Sequence, residues 1–274
     1  MVTPKSTLNS EQSSLIASSR DAFGGVIVDP EDLGSRVRDF SRRLGHSLAN
    51  WHAAGVRSVW LQIHVSRANL IPAAIKAGFS FHHADQTGAM LTKKLSDDSR
   101  VPPYATHYIG VGGAVIDNND RLLVVSERFR RSRSGHYYKL PGGALRLGEH
   151  IADAAVREVR EETGVLAQFE ALVCFRHWHG YRYGRSDIYF ICRMSPLSQE
   201  IRIQAEEIEE CLWMPLSEYL QREDVSSFNK RVVAAARRSS GLHTTVVEGY
   251  GAPETHEIFV PLDTERVLHN KELP

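Results

Sequence analysis

At roughly 150 residues per domain, a chain of 274 residues has room for about two domains. With 42% apolar and 24% charged residues it reads as globular, which excludes collagen-like, disordered and disulfide-scaffold classes. Its 33 basic and 33 acidic residues balance, so bulk electrostatics does not hold it to nucleic acid or lipid.

The first twenty residues are serine-rich and lack the apolar stretch of a secretory signal. No apolar run approaches the ~18 residues of a membrane span. The expected location is cytoplasmic, with an organellar transit peptide as the alternative. The three cysteines, Cys174, Cys192 and Cys211, have no metal-type spacing and read as buried thiols in a reducing compartment.

Leu33, Val37, Phe40, Leu44, Leu48 and Trp51 recur at three- and four-residue spacing and predict a helix. Val59, Leu61 and Ile63 alternate with Trp60 and Gln62, a strand pattern. Asn69 is expected to cap a short helix that ends at Gly78. Strands are expected at Phe79–His83 and Met90–Leu95. The stretch 96–105, SDDSRVPPYA, interrupts these patterns and predicts a linker. Beyond it, strands are expected at Tyr108–Ile116, Leu122–Ser126, Leu172–Trp178 and Asp187–Met194. A helix should follow Glu149 and end at Gly164, and another should span Val225–Arg238. Thr244–Val247 and Ile258–Val260 suggest a hairpin. The expected domains are 18–96, a small α+β unit, and 105–268, a mixed sheet with helices packed on it.

The stretch with chemical content is PGGALRLGEHIADAAVREVREETGV, residues 141–165. At about 100° per residue, Glu158, Glu161 and Glu162 share roughly 100° of helix arc. Ile151, Ala152, Ala155, Val156 and Val159 form the neighbouring apolar stripe. Three carboxylates beside a buried face repel one another, by roughly 4 kcal/mol for a pair 4 Å apart at an effective dielectric of 20. A multivalent cation removes that penalty, and oxygen-only ligands suit magnesium or manganese. The plain alternative is a solvated acidic face softened by Arg157 and Arg160. The Pro-Gly-Gly turn lets backbone approach a ligand closely, and Glu149 stands where it can orient the Arg157 guanidinium.

From Gly143 the stretch reads G-x5-E-x7-R-E-V-x-E-E-x-G-V and resembles the Nudix box at every fixed position. YYKLPGG is similar to the strand that enters the box, with Tyr138 where tryptophan is usual. EEIEECLWMPL is similar to the family's later acidic loop and tryptophan strand. The segment GVRSVWLQIHVSRANLIPAAIKAGFSFHHA resembles the pre-Nudix domain of the group containing the human antisense-growth-factor Nudix protein and plant ADP-ribose/NADH Nudix hydrolases.

The resemblance implies an α/β fold: a Nudix mixed-sheet α/β/α sandwich preceded by a smaller α+β pre-Nudix domain. It implies hydrolysis of a nucleoside diphosphate linked to another group, with ADP-ribose or NADH as the expected substrates. The alternatives are a broad nucleotide or capped-RNA hydrolase, or a non-catalytic sensor on the same fold. Carried over by position, Glu158, Glu161, Glu162 and the Gly143 carbonyl would hold Mg2+ or Mn2+. Glu149 and Arg157 would brace the box, with Gly164 closing its helix. Glu161, Glu162 or a glutamate of the later loop, Glu207 before Glu210, would be the general base.

Two further signals are read from residues alone. Arg128, Arg130, Arg131 and Arg133 suit phosphates, and Tyr181, in the aromatic and cationic run 175–185, suits a base or sugar. The solvated-loop reading stands beside both. The expected partner is a small nucleoside diphosphate derivative, with no membrane and no obligate nucleic acid; a homodimer is compatible with the sequence.

Overall fold

The computed structural model describes residues 15–129 and 137–262. Its chain forms two compact units, Met1–Ala105 and Thr106–Pro274.

In the first unit, five strands form one sheet in the order β1-β2-β3-β5-β4. They are β1 (Ser18–Arg20), β2 (Val26–Val28), β3 (Ser58–His64), β4 (Ser80–Ala84) and β5 (Gly88–Lys94). β2 and β3 run parallel and the other pairs antiparallel. The predicted first helix is α1 (Val37–Ala53), and Leu33 ends a separate 3-10 turn before it. Phe40, Leu44 and Trp51 of α1 share one buried cluster with Val59, Leu61, Ile63 and Leu91, so the periodicity that predicted helix and strand also built their contact.

Asn69 does not cap the next helix. It lies inside a 3-10 turn, Val65–Leu70, which runs into α2 (Ile71–Lys76) and is capped by His64, whose Nδ1 accepts the Ser66 N–H at 3.2 Å. Capping requires an extended residue at the helix entrance; His64 is extended there, and Asn69 falls within the turn. The predicted linker also has structure. Arg57 pairs with Asp98 at 2.7 Å, His82 meets the Pro102 carbonyl at 2.8 Å, and Tyr104 stacks on His83 at 4.4 Å. Residues 96–105 thus pack as the last layer of the first unit.

The second unit has a mixed four-stranded sheet, β8-β6-β10-β9. Its strands are β6 (His107–Val115), β8 (Gly142–Ala144), β9 (Ala167–Trp178) and β10 (Ser186–Pro196), with β6 parallel to β10. β7 (Arg121–Glu127) pairs antiparallel with β11 (Ile208–Pro215), and β12 (His243–Thr245) pairs with β13 (Ile258–Val260). Helix α3 (Ile151–Thr163) buries Ala154, Ala155 and Val159 against Val111, Val115, Leu123 and Met194. Helices α4 (Leu216–Gln221) and α5 (Ser227–Arg238) fill a second core with Leu122, Val124 and Ile191. The sheets are therefore covered by helices on both sides, an α/β/α sandwich. The cysteines are free; burial raises the thiol pKa of all three, that of Cys211 to about 12, which keeps them inert as nucleophiles.

Candidate active site

The site is built where β8 hands the chain to α3. β8 is almost all glycine, and its glycines are required. Gly142 has φ +152°, and a Cβ there would stand 2.2 Å from the Val111 carbonyl oxygen. A Cβ on Gly143 would stand 2.7 Å from Oε2 of Glu158. The turn and the helix carboxylate thus occupy space that any side chain would take.

Helix α3 has no side-chain cap from His150. Its first amides are instead met by a distant carboxylate: Glu257 accepts from Ile151 N at 2.7 Å and Ala152 N at 3.1 Å. A negative group at this end also complements the helix dipole. At the other end, Gly164 takes the left-handed conformation that stops the helix, with φ +73°.

Arg157 is the hub of the site. Its Nε and Nη2 grip the two oxygens of Glu149 at 2.6 and 2.8 Å, a paired guanidinium–carboxylate clamp. Nη2 also donates to the Ala144 carbonyl at 3.2 Å. Its Nη1 donates to Glu158 at 2.7 Å and Glu161 at 3.0 Å. One side chain therefore ties the loop, the glycine strand and the helix together. The clamp holds the Glu149 carboxyl at about 2, because the Arg157 hydrogen bonds favour its ionised form against the cost of burial.

Glu162 is in the opposite state. It is 6% exposed, and its carboxylate accepts the Gly142 N–H at 3.0 Å. Burial raises its pKa to about 7, and neighbouring Glu158 and Glu127 push the same way against Lys139 and the Gly142 bond. Glu161 is exposed and held by Arg157 and by Arg146 at 3.0 Å. Arg146 and Lys139, which pairs with Glu127 at 2.6 Å, were not singled out in the sequence. Lys139 and Arg146 lie in the quoted motif segments at positions given no role, and Glu257 has no motif signal at all.

The expected donors, Glu158, Glu161, Glu162 and the Gly143 carbonyl, are all oxygen, which suits a hard divalent cation. A buried carboxylate with a raised pKa also gains most from an added positive charge. Among the described residues no three acidic, histidine or cysteine side chains already converge as an ion cage. Arg157 draws Glu158 and Glu161 to itself, so accepting a cation means loosening those bonds.

The acidic turn before β11 is joined to the box helix through backbone. Gln204 N donates to the Glu162 carbonyl at 3.3 Å, and Glu207 N donates to the Gln204 carbonyl at 3.1 Å. Glu207 is exposed there. Glu210 accepts the Tyr138 hydroxyl at 2.6 Å, and burial and this bond lift the phenol to about 12.

Arg128 is committed to structure: its backbone N–H meets the Glu207 carbonyl at 2.8 Å and its Nε the Ala205 carbonyl at 2.9 Å. Arg130, Arg131 and Arg133 lie outside the described residues. Tyr181 sits between β9 and β10, with ring contacts to Trp178 at 5.3 Å and Tyr108 at 5.9 Å. Neither partner belongs to the box.

The comparisons with known proteins put this sandwich and its carboxylate helix among hydrolases acting on diphosphate bonds. Family models agree: one described as a Nudix hydrolase domain matches residues 16–95, and the NUDIX domain matches residues 106–236. Nudix hydrolase 8 of Arabidopsis thaliana is 40% identical over 214 residues, 77% of this chain and 58% of that protein. Nudix hydrolase 2 of Arabidopsis thaliana is 37% identical over 222 residues, 80% of this chain and 78% of that protein. Nucleoside diphosphate-linked moiety X motif 6 of Homo sapiens is 37% identical over 220 residues, 77% of this chain and 69% of that protein. The chain belongs to the Nudix hydrolase family.

Proposed function

We propose that this chain hydrolyses the diphosphate of a nucleoside diphosphate derivative, with ADP-ribose or NADH as substrate and Mg2+ or Mn2+ as cofactor. The observation that carries this reading is the buried Glu162 carboxylate beside Glu158, on a helix locked by the Glu149–Arg157 clamp. Family membership supports it, since Nudix hydrolases generally use divalent metal ions.

Glu158, Glu161 and Glu162, with the Gly143 carbonyl, would hold the cation. When bound, it would neutralise diphosphate charge and acidify an attacking water. The chain's own residues set the geometry. Arg157 holds Glu149, Glu158 and Glu161 in one cluster, and releasing Glu158 and Glu161 to the cation would leave its clamp on Glu149 in place. The Gly142 N–H holds Glu162. Glu207 is our candidate for accepting the water proton, because its exposed carboxylate belongs to a turn bonded to the end of the box helix. Glu210 is less available, being engaged with Tyr138.

A turnover screen against ADP-ribose, NADH, NAD, diadenosine polyphosphates, nucleoside triphosphates and capped RNA tests the proposal. ADP-ribose should give AMP and ribose 5-phosphate, and NADH should give AMP and reduced nicotinamide mononucleotide. In oxygen-18 water the label should enter one product phosphate. Chelator should abolish turnover, and magnesium or manganese should restore it. Release of free nicotinamide, or full activity in chelator, would reject this chemistry.

A further inference from the structure

The sheet of the first unit has a second face that α1 does not cover. Val59, Leu61 and Ile63 of β3 enter the core, so alternation turns Trp60 the other way. Ile27 lies between buried Val26 and Val28, and Met90 between buried Ala89 and Leu91. Ile27 pairs in register with Trp60, which makes the two neighbours across the strands. On this face lies a cavity of about 1160 Å³, floored by Ile27, Trp60 and Met90 and walled by the 99–103 stretch. Small-molecule sites commonly measure roughly 300–1,000 Å³, so it has ample room for one small ligand.

Its charge is one-sided. Arg57, Lys94 and Arg100 line it against one carboxylate, Asp21. That carboxylate is already engaged, with Oδ1 accepting Phe23 N at 2.8 Å and Gly25 N at 2.7 Å. Arg57 has Asp98 as a partner, whereas Lys94 and Arg100 make no ion pair among the described residues. Phe23, which also lines the cavity, is 84% exposed. An apolar floor and excess positive charge point to one ligand chemistry.

We propose that this cavity is a binding site for an amphipathic organic anion. The apolar body lies against Trp60, Ile27 and Met90, and the carboxylate or phosphate head faces Lys94, Arg100 and Arg57. Hydrophobic burial holds the body, and the cations discriminate for the charged head. The site uses none of the box residues and stands independently of the proposed hydrolase activity.

Isothermal titration of the full chain with four probes tests it: 1-naphthoate, 1-naphthyl phosphate, 1-naphthol and inorganic phosphate. At least one naphthyl anion should bind once per chain, and the comparison between them identifies the head group preferred. The uncharged 1-naphthol should bind at least about fivefold more weakly, and so should Lys94→Glu combined with Arg100→Glu, as expected for two exposed cations. Ile27→Asp, an exposed change that puts an acid in the floor, should abolish binding. Arg42→Glu on the exposed side of α1 and Glu162→Gln in the box should leave it unchanged. Absence of binding by both anions, equal affinity for 1-naphthol, or indifference to the Lys94 and Arg100 reversals would overturn the assignment. Loss of binding in Glu162→Gln would place the probes in the box and overturn it equally.

Discussion

Glu162 and Glu149 are two carboxylates of one motif driven in opposite directions, and pH separates them. Glu162 rises from 4.5 to about 7 because it is buried. The folded chain then holds a proton that the unfolded chain releases, so stability falls as pH climbs between those values. The cost of its charge above that window is on the order of 3 kcal/mol. Glutamine keeps the shape and can still accept the Gly142 N–H. Metal-free Glu162→Gln should therefore melt higher than the parent at pH 8, with a flatter pH dependence between pH 5 and 8. Its turnover should fall by about tenfold or more, because a charged donor is lost from the cation site. Full turnover would remove Glu162 from catalysis, and an unchanged melting profile would remove the burial argument. Glu149 runs the other way: its pKa falls from 4.5 to about 2, so its stabilisation is present above pH 4.5 and disappears as pH falls toward 2. Acid titration of Glu149→Gln, followed by circular dichroism, should show a lower melting temperature at pH 6 and a smaller loss from there to pH 2. Box membership of both residues was legible, because helical spacing and a fixed motif place them together. Their opposite electrostatics were not, since burial of Glu162 depends on how β8 closes over α3.

The box helix itself depends on a residue no local pattern announces. Glu257 lies more than one hundred positions beyond Ile151, yet it receives the first two amides of α3. A capping side chain of this kind contributes about 1 kcal/mol, and its charge adds to the effect at a helix N-terminus. Glu257→Ala should lower unfolding free energy by about 1–2 kcal/mol in denaturant melts. The catalytic effect should be smaller than that of Glu162→Gln, since the carboxylates lie at the other end of the helix. An unchanged melt would mean that water serves these amides equally well. Elements with strong periodicity, such as α1 and β3, could be read from sequence because one face of each is buried. The three-residue strands β1 and β2 could not, and β8 was approached only through the motif likeness of YYKLPGG. β8 in particular carries glycines that disfavour a strand in isolation, and its pairing with β6 supplies what its sequence lacks. Asn69 shows the converse error: a good capping residue has no effect where the backbone is already turning.

The first unit has one buried cluster and the second has two, and the residues proposed for hydrolysis all lie in the second unit. Composition and the break at 96–105 predict domains at 18–96 and 105–268, and the chain forms compact units Met1–Ala105 and Thr106–Pro274; proline and aspartate mark irregular backbone without saying which side it packs on. Ser99 is buried, Asp98 pairs with Arg57, and Tyr104 stacks on His83, all within the first unit. A shortened chain should therefore begin at Thr106, whose carbonyl accepts the Ser186 N–H at 3.0 Å and opens the β6–β10 pairing. Starting at Val101 would retain a tail cut from its packing partners. Residues 106–274 should be soluble, melt cooperatively and retain metal-dependent turnover within about threefold of the full chain, less than 1 kcal/mol in transition-state stabilisation. The shortened chain should also lose the naphthyl-anion binding assigned to the first unit. Thermal melting and turnover measured on the same preparation separate the outcomes. A folded but inactive chain would show that the first unit contributes to catalysis, and an unfolded one that the second core needs the first for stability.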